Sequence, residues 1–178
     1  MLEGIVRESI GKKGTKALRR DGYLIANIYG KGLENINAAF KMNEYIRTVR
    51  NKETLAFPVS VAGKEMNVVV QSYESQAVTG NLLHVDLMVV QPGVKTKFNI
   101  PIVAVGEAKG IKNKGLVHMS KPRLTVKCLP ENLPNKIEID VTEMDTGDSK
   151  LVRDLPEMPE LQILDTDRVA LISIIKAK

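Results

Sequence analysis

The sequence has little of the chemistry on which disulfide-rich, zinc-binding or membrane proteins depend. Its 178 residues include one cysteine, Cys128, which excludes an intramolecular disulfide and a multi-cysteine zinc site. Tryptophan is absent and aromatic residues make up 4%, so we expect a core of valine, isoleucine and leucine. We find no signal-peptide pattern and no segment near the roughly 20 apolar residues of a membrane span. We therefore expect a cytosolic protein with no membrane association.

Signals for catalysis are also scarce. No G-x-S-x-G elbow, P-loop or dinucleotide fingerprint occurs. His84 and Asp86 are a candidate histidine–carboxylate pair, but nothing in the sequence orients a nucleophile on the histidine. Cys128 lies in an apolar segment that predicts core packing, and His118 is predicted to lie on a surface strand. We expect no enzyme, metal site or cofactor; a hydrolase using His84 and Asp86 is the alternative.

Charge is distributed in blocks, and the formal net charge is +5. Residues 7–31 contain seven basic residues against two acids, and residues 109–127 contain six basic residues and no acid. Residues 131–167 contain eleven acids against three basic residues. Two basic blocks on a small protein indicate a polyanionic partner, with an unevenly charged solvated surface as the alternative.

The first half is predicted to be rich in β-strands, because apolar residues alternate or cluster between turn signals. Ala62-Gly63 predicts a hairpin turn, and the alternation around residue 85 places His84 and Asp86 on one outer face. The predicted strands are Leu2–Val6, Tyr23–Tyr29, Asn35–Lys41, Leu55–Val61, Lys64–Gln71 and Leu83–Val89.

Two short helices are predicted in the same half. Thr15–Arg20 contains good helix formers and is followed by the stop signal Asp21-Gly22. Asn43 is expected to cap a second helix that runs to about residue 51, with Ile46 and Val49 on its inner face.

Gln91-Pro92-Gly93 interrupts the strand pattern and predicts a boundary between domains 1–91 and 92–178. The second domain is expected to contain turns at 130–134 and 146–148, a glycine- and lysine-rich loop at Gly106–Gly115, and no long helix. Its predicted strands are Thr96–Val105, Leu116–Ser120, Arg123–Leu129, Lys136–Val141, Leu161–Leu164 and Val169–Ile175.

The first basic block is the strongest binding signal. Lys12, Lys16 and Arg19 or Arg20 recur at helical spacing and can form a stripe that neutralises phosphates. An ordinary exposed helix is the alternative reading. The preceding segment Ser9–Gly14 is predicted to be a mobile loop.

Four residues outside this block are candidates for a polar binding face. Tyr29 precedes a glycine at a strand end, where core packing is the alternative role. Gln71 ends a strand, where simple exposure would also account for it. His84 and Asp86 project from one sheet face, and a structural hydrogen-bonding pair is their alternative role.

Several motifs resemble one known family. They are R-E-S-I-G-K-K-G-T-K-A-L-R-R-D-G (7–22), A-N-I-Y-G (26–30), G-K-E-M-N-V-V-V-Q (63–71), L-H-V-D-L (83–87), P-E-N-L-P-N-K-I-E-I-D-V (130–141) and T-G-D-S (146–149). Together they resemble the bacterial large-subunit ribosomal protein twenty-five, in its longer two-domain form, the general stress protein Ctc family. Ile25 stands where this family often has proline, and Lys16 stands where arginine is frequent.

The resemblance implies a mainly β fold: a six-stranded barrel-like domain with short helices, then a separate C-terminal β domain. It implies a structural protein of the 50S subunit, monomeric when free, that binds an internal loop of 5S ribosomal RNA from the minor-groove side and contacts neighbouring ribosomal RNA and proteins. The residues it implies for RNA binding are Arg7, Lys12, Lys16, Arg19, Arg20, Tyr29, Gln71, His84 and Asp86. The basic block 109–127 could meet other ribosomal RNA or proteins. A protein-interaction module using the acidic segment 131–167 is the other alternative.

Overall fold

The computed structural model describes residues 1–52, 54–156 and 158–176. The chain forms two compact units, Met1–Val94 and Lys95–Lys178, and both are built mainly from β-strands. The mainly β fold with a separate C-terminal β domain is therefore confirmed. Among the described residues, no helix is long and apolar enough to cross a membrane.

Six strands of the first unit form a closed barrel in the order β1-β3-β2-β6-β5-β4. Parallel pairing of β1 with β4, in which Leu2 lies opposite Val59, closes the sheet into a barrel. The strands are β1 (Leu2–Val6), β2 (Tyr23–Gly30), β3 (Leu33–Lys41), β4 (Ala56–Val61), β5 (Lys64–Ser75) and β6 (Leu82–Val89).

The barrel interior is mainly aliphatic, as the composition predicts, and Phe40 and Phe57 are its large aromatic side chains. Alternation along β2 sends Ala26 and Ile28 inward and leaves the odd-numbered residues outside. The predicted hairpin is confirmed: Val61 lies opposite Lys64, and the two turn residues between them both have positive φ.

Helix α1 (Lys12–Arg20) lies between β1 and β2 in the chain and packs on β2. It begins three residues before the predicted start, so the loop predicted at Ser9–Gly14 is wrong from Lys12 onward. Gly14 permits this, because a Cβ there would lie 2.8 Å from the Ser9 hydroxyl. The predicted stop is confirmed, since Asp21 caps the helix and Gly22 has φ +83°.

Helix α2 (Met42–Asn51) starts earlier and buries a different face from the one predicted. Its N-cap is Lys41 rather than Asn43, and no side chain caps it. Met42, Tyr45 and Val49 pack on the barrel core, whereas Ile46 is 41% exposed, so the predicted inner face was half wrong. Residues 42, 45 and 49 follow the helical period, and residue 46 lies about 100° from residue 45 around the axis.

The second unit contains two sheets. One has the order β10-β7-β9-β12 and the other the order β11-β13-β8. The strands are β7 (Thr96–Val105), β8 (Gly115–Met119), β9 (Arg123–Cys128), β10 (Ile137–Asp140), β11 (Ser149–Leu151), β12 (Gln162–Ile163) and β13 (Ala170–Lys176); 3-10 turns cover Pro130–Asn132 and Val152–Asp154.

Two elements of the second unit differ from the prediction. The loop predicted at Gly106–Gly115 contains a helical turn, α3 (Lys109–Lys112), in which a Cβ on Gly110 would meet the Thr146 backbone nitrogen at 2.7 Å. Strand β11 was not predicted. Cys128 is 1% exposed and His118 lies exposed on β8, so both of these predictions are confirmed.

Candidate nucleic-acid interface

Three irregularities in strand pairing lie around one part of the barrel's outer surface. Pairing of β2 with β3 shifts between Ile28 and Gly30, at Tyr29. Pairing of β5 with β6 shifts at Gln71, and again opposite Leu83, which has no partner in the ladder. Bulges of this kind bend a strand and turn its side chains in new directions. Two of the predicted site residues therefore stand at points where the barrel departs from regular pairing.

His84 and Asp86 lie on the outer face of β6, as the alternation predicts. The Nδ1 atom of His84 is 3.5 Å from Oδ1 of Asp86, and both side chains are about one-third exposed. The Ser72 hydroxyl donates a hydrogen bond to Oδ2 of the same carboxylate. A carboxylate with partners on both oxygens is held in one orientation while its remaining acceptor sites face outward.

The order of these three side chains distinguishes them from a catalytic triad. In a triad the imidazole lies between the hydroxyl and the carboxylate, so that it can take the hydroxyl proton. Here Asp86 lies between Ser72 and His84. The hydroxyl is consequently bonded to an acid rather than to a base, and the arrangement positions a polar group without activating a nucleophile.

Tyr29 stands beside this group on the adjacent strand. Burial, and then the negative charge of Asp86, raise the pKa of the Tyr29 hydroxyl above its ordinary value. The hydroxyl therefore remains a neutral hydrogen-bond donor at physiological pH. The half-buried ring of Tyr29 borders the surface that carries His84 and Asp86. Ile28 rather than Tyr29 faces the barrel interior, so Tyr29 does not have the alternative role of core packing.

Gln71 is half-buried in the first of the β5–β6 bulges, next to the pair formed by Ser72 and Asp86. The structure thus brings Tyr29, His84 and Asp86 to one side of the barrel, and Gln71 lies at the adjoining bulge with its side-chain oxygen buried. Ser72 belongs with them and was missed by sequence reasoning. Only the register of β5 against β6 reveals it, and that register depends on two bulges that local sequence does not mark.

Helix α1 attaches to the barrel beside these residues. The Arg19 guanidinium donates to the Leu83 carbonyl oxygen from Nε at 3.2 Å and from Nη2 at 2.9 Å. Leu83 is the bulged residue of β6, so the arginine satisfies a carbonyl group outside the regular ladder. Lys12, Lys16 and Arg20 are exposed on the same helix, which places a basic surface next to His84.

Arg7 differs from the other predicted basic residues because it is only 9% exposed. Its Nη2 donates to the Thr15 hydroxyl at 2.7 Å and to the Ser9 carbonyl at 3.5 Å. Thr15 lies on the inner side of α1, together with Gly14 and Leu18. Arg7 therefore links the end of β1 to the helix that carries the exposed basic side chains.

The second basic block is partly neutralised by the acidic segment that follows it. Lys121 forms an ion pair with Asp165 at 2.5 Å, in which the carboxylate is 14% exposed, and Lys109 pairs with Glu143. Thr125 donates its backbone N–H to the same Asp165. Lys109 and Lys121, with their two acidic partners, are thus engaged within the unit itself, which weakens both segments as surfaces for other partners.

The first unit thus combines a closed barrel, a basic helix and a polar face whose hydroxyl is bonded to an acid rather than to a base. Comparison with known proteins identifies the class of protein. The Ribosomal L25p family model matches residues 2–87, and the model of the ribosomal protein TL5 C-terminal domain matches residues 95–178. The chain belongs to the ribosomal L25p family, a family of structural, non-catalytic ribosomal proteins.

Curated relatives resemble the chain over its whole length. The protein named large ribosomal subunit protein bL25 from Sulfurimonas denitrificans is 68% identical across 100% of both chains. Proteins of the same name from Wolinella succinogenes and Campylobacter lari are 59% and 60% identical over the same span. The expected family is thereby confirmed, and both structural units lie within the similarity.

Proposed function

We propose that this protein is a structural component of the large ribosomal subunit in the cytoplasm and binds an internal loop of 5S ribosomal RNA from the minor-groove side. In the subunit it would also contact neighbouring ribosomal RNA and proteins, and when free it would be a monomer. The names of its relatives support the subunit assignment. The RNA target and the groove are the finer part of the proposal and rest on the geometry of the barrel surface.

One observation carries the proposal: oriented hydrogen-bonding side chains and exposed cations lie side by side on the barrel. Tyr29, His84 and Asp86 share one outer side of the sheet, and Gln71 lies at the adjoining bulge. Arg19 ties the basic helix to the strand that carries His84. The minor groove of A-form RNA is wide and shallow and displays base edges and 2′-hydroxyl groups. A convex polar face flanked by cations fits such a groove, with its bordering phosphates against the helix.

The proposed role of each basic residue depends on how exposed its side chain is. Lys12, Lys16 and Arg20 would neutralise phosphates, because their side chains are exposed on α1. Arg19 has donors left after its two bonds to the Leu83 carbonyl and would contact the RNA from a fixed position. Arg7 would act by holding α1 in place, since its guanidinium is buried against Thr15.

The test is a competition experiment with the full chain. Labelled 5S ribosomal RNA is bound by purified protein, and either unlabelled 5S RNA or transfer RNA is added as competitor. The proposal predicts that 5S RNA competes and that transfer RNA does not at the same concentration. Equal competition by the two RNAs would show that the basic helix is a generic polyanion surface and would refute the 5S assignment.

A further inference from the structure

The outer surface of the barrel carries a continuous row of polar side chains that crosses four adjacent strands. Asn37 on β3 lies opposite Asn27 on β2. Asn27 lies opposite Asp86 on β6, and Asp86 lies opposite Ser72 on β5. Neighbouring strands are about 4.8 Å apart, so the row extends for roughly 14 Å across the sheet.

The row is the one place on these strands where the outer face is polar from β3 to β5. Two residues away on each strand, the next outer pair of β3 and β2 is Ala39 and Ile25, which are 0% and 2% exposed. Asn27 and Asn37 are half-buried and point away from the core, since Ala26, Ile28 and Ala38 face inward. Both amides are therefore open to a ligand on the side that carries Tyr29 and Asp86.

The two asparagines and the aspartate differ in how they are engaged. Asp86 is held by Ser72 and His84. Within residues 1–52, 54–156 and 158–176, the side-chain amides of Asn27 and Asn37 make no hydrogen bond to another residue. Each half-buried amide has two N–H donors and one oxygen acceptor without a partner among the described residues, and unpaired polar groups with restricted access to water gain most from a partner.

The chemistry of the row matches the minor-groove edge of a nucleotide. A guanine presents an acceptor at N3 and a donor at its N2 amino group, and the ribose adds a 2′-hydroxyl that both donates and accepts. An asparagine amide can donate to N3 or to the 2′-hydroxyl. A carboxylate one strand away can accept from the amino group. Charge plays no part at the asparagines, so their contribution is distinct from that of helix α1.

We propose that Asn27 and Asn37 are RNA-contacting residues that continue the reading surface from Asp86 across β2 and β3, donating to the minor-groove edges of bases and to ribose 2′-hydroxyls. This inference rests on the proposed binding of 5S ribosomal RNA. It assigns the asparagines a part in specificity, because they add directional hydrogen bonds to a site whose affinity comes from cations.

The test measures the affinity of the full-length Asn27→Ala and Asn37→Ala variants for 5S ribosomal RNA across a salt series. Each variant should bind about five- to tenfold more weakly, the loss expected for a hydrogen bond that leaves its partner unsatisfied. The slope of log affinity against log salt should stay that of the unsubstituted protein, because no phosphate contact is lost. Asn43→Ala, at an exposed position of α2, is the matched control and should change neither quantity.

A second arm identifies the contacted group. Guanosines of the RNA loop are replaced singly by inosine, which lacks the N2 amino group, and riboses are replaced singly by 2′-deoxyribose. At the contacted position the penalty of Asn27→Ala should vanish: loss of the penalty with deoxyribose marks a hydroxyl contact, and loss with inosine marks a base-edge contact.

Two results would overturn the inference while leaving the proposed function intact. One is normal binding by both variants when the unsubstituted protein binds 5S RNA selectively. The other is a penalty that no single RNA substitution removes, which would mean that the asparagines act through the protein. Failure of the unsubstituted protein to bind selectively would instead refute the proposed function.

Discussion

Arg19 donates two hydrogen bonds to the main-chain carbonyl of Leu83, the bulged residue of β6 that has no partner on β5. The contact joins the basic helix to the strand that carries His84 and Asp86. Helix α1 buries none of its residues fully and has only nine, so its own stability is low. The position of the cations relative to the polar face thus depends on a few polar contacts.

The first prediction concerns this attachment. Arg19→Ala should loosen α1, because it removes both hydrogen bonds to Leu83. Amide hydrogen exchange within residues 12–20 of the free protein should accelerate, whereas exchange in the barrel strands should not. Arg20→Ala removes the same charge from the adjacent position and serves as the control. Equal exchange in the two variants would show that the Leu83 contact does not hold the helix.

Arg7 supports a second prediction, which separates a structural role from a phosphate contact. Arg7→Ala should lower the free energy of unfolding by about 1–3 kcal/mol, because a buried charged hydrogen bond to Thr15 is lost. Lys12→Ala, at an exposed site, should change it by no more than about 0.5 kcal/mol. Urea denaturation provides the measurement. An Arg7→Ala variant of unchanged stability but weakened RNA binding would place Arg7 on the RNA instead.

The third prediction concerns the exposed cations. Lys12→Ala and Lys16→Ala should each reduce the magnitude of the log–log salt slope for 5S RNA binding by about 0.7 to 0.9, since each removes one neutralised phosphate. The double variant Lys112→Glu and Lys114→Glu, in the second unit, should leave that slope unchanged. A slope that responds to the second-unit lysines and not to Lys12 or Lys16 would move the RNA contact away from α1.

Tyr29 supports a prediction on pH. Because burial and Asp86 raise the pKa of the folded tyrosine, its stabilising contribution is complete below the ordinary value of about 10 and is lost as pH rises through the folded pKa. Between about pH 9 and pH 11 the unsubstituted protein should therefore lose more stability than Tyr29→Phe. Denaturation at the two pH values measures the difference. Parallel losses would mean that Tyr29 titrates alike in the folded and unfolded chains.

Sequence patterns predicted most of the strands because alternation is local. Thr96–Val105 and Leu2–Val6 agree with the structure residue for residue. The inner face of α2 was misjudged because Tyr45, a residue with a polar end, packs on the core where Ile46 was expected. Three-residue strand β11 is too short to show any period.

The candidate site was predictable only in part, for a physical reason. His84 and Asp86 lie on one strand, and Lys12 and Lys16 on one helix, so their spacing in the chain is enough to group them. Ser72, Asn27 and Asn37 join the site through pairing between strands that are distant in sequence. A shift of one residue would turn each of them to the opposite face, and the register includes bulges that single-strand patterns do not reveal.

The central claim is that the barrel binds an internal loop of 5S ribosomal RNA from the minor-groove side. Hydroxyl-radical footprinting of 5S RNA with and without the full-length protein tests it most directly, because the reagent attacks riboses at the groove surface. The claim predicts protection confined to riboses that border the minor groove of one internal loop, and its loss with Arg19→Ala. Protection spread evenly along the RNA, or confined to another region, would contradict it.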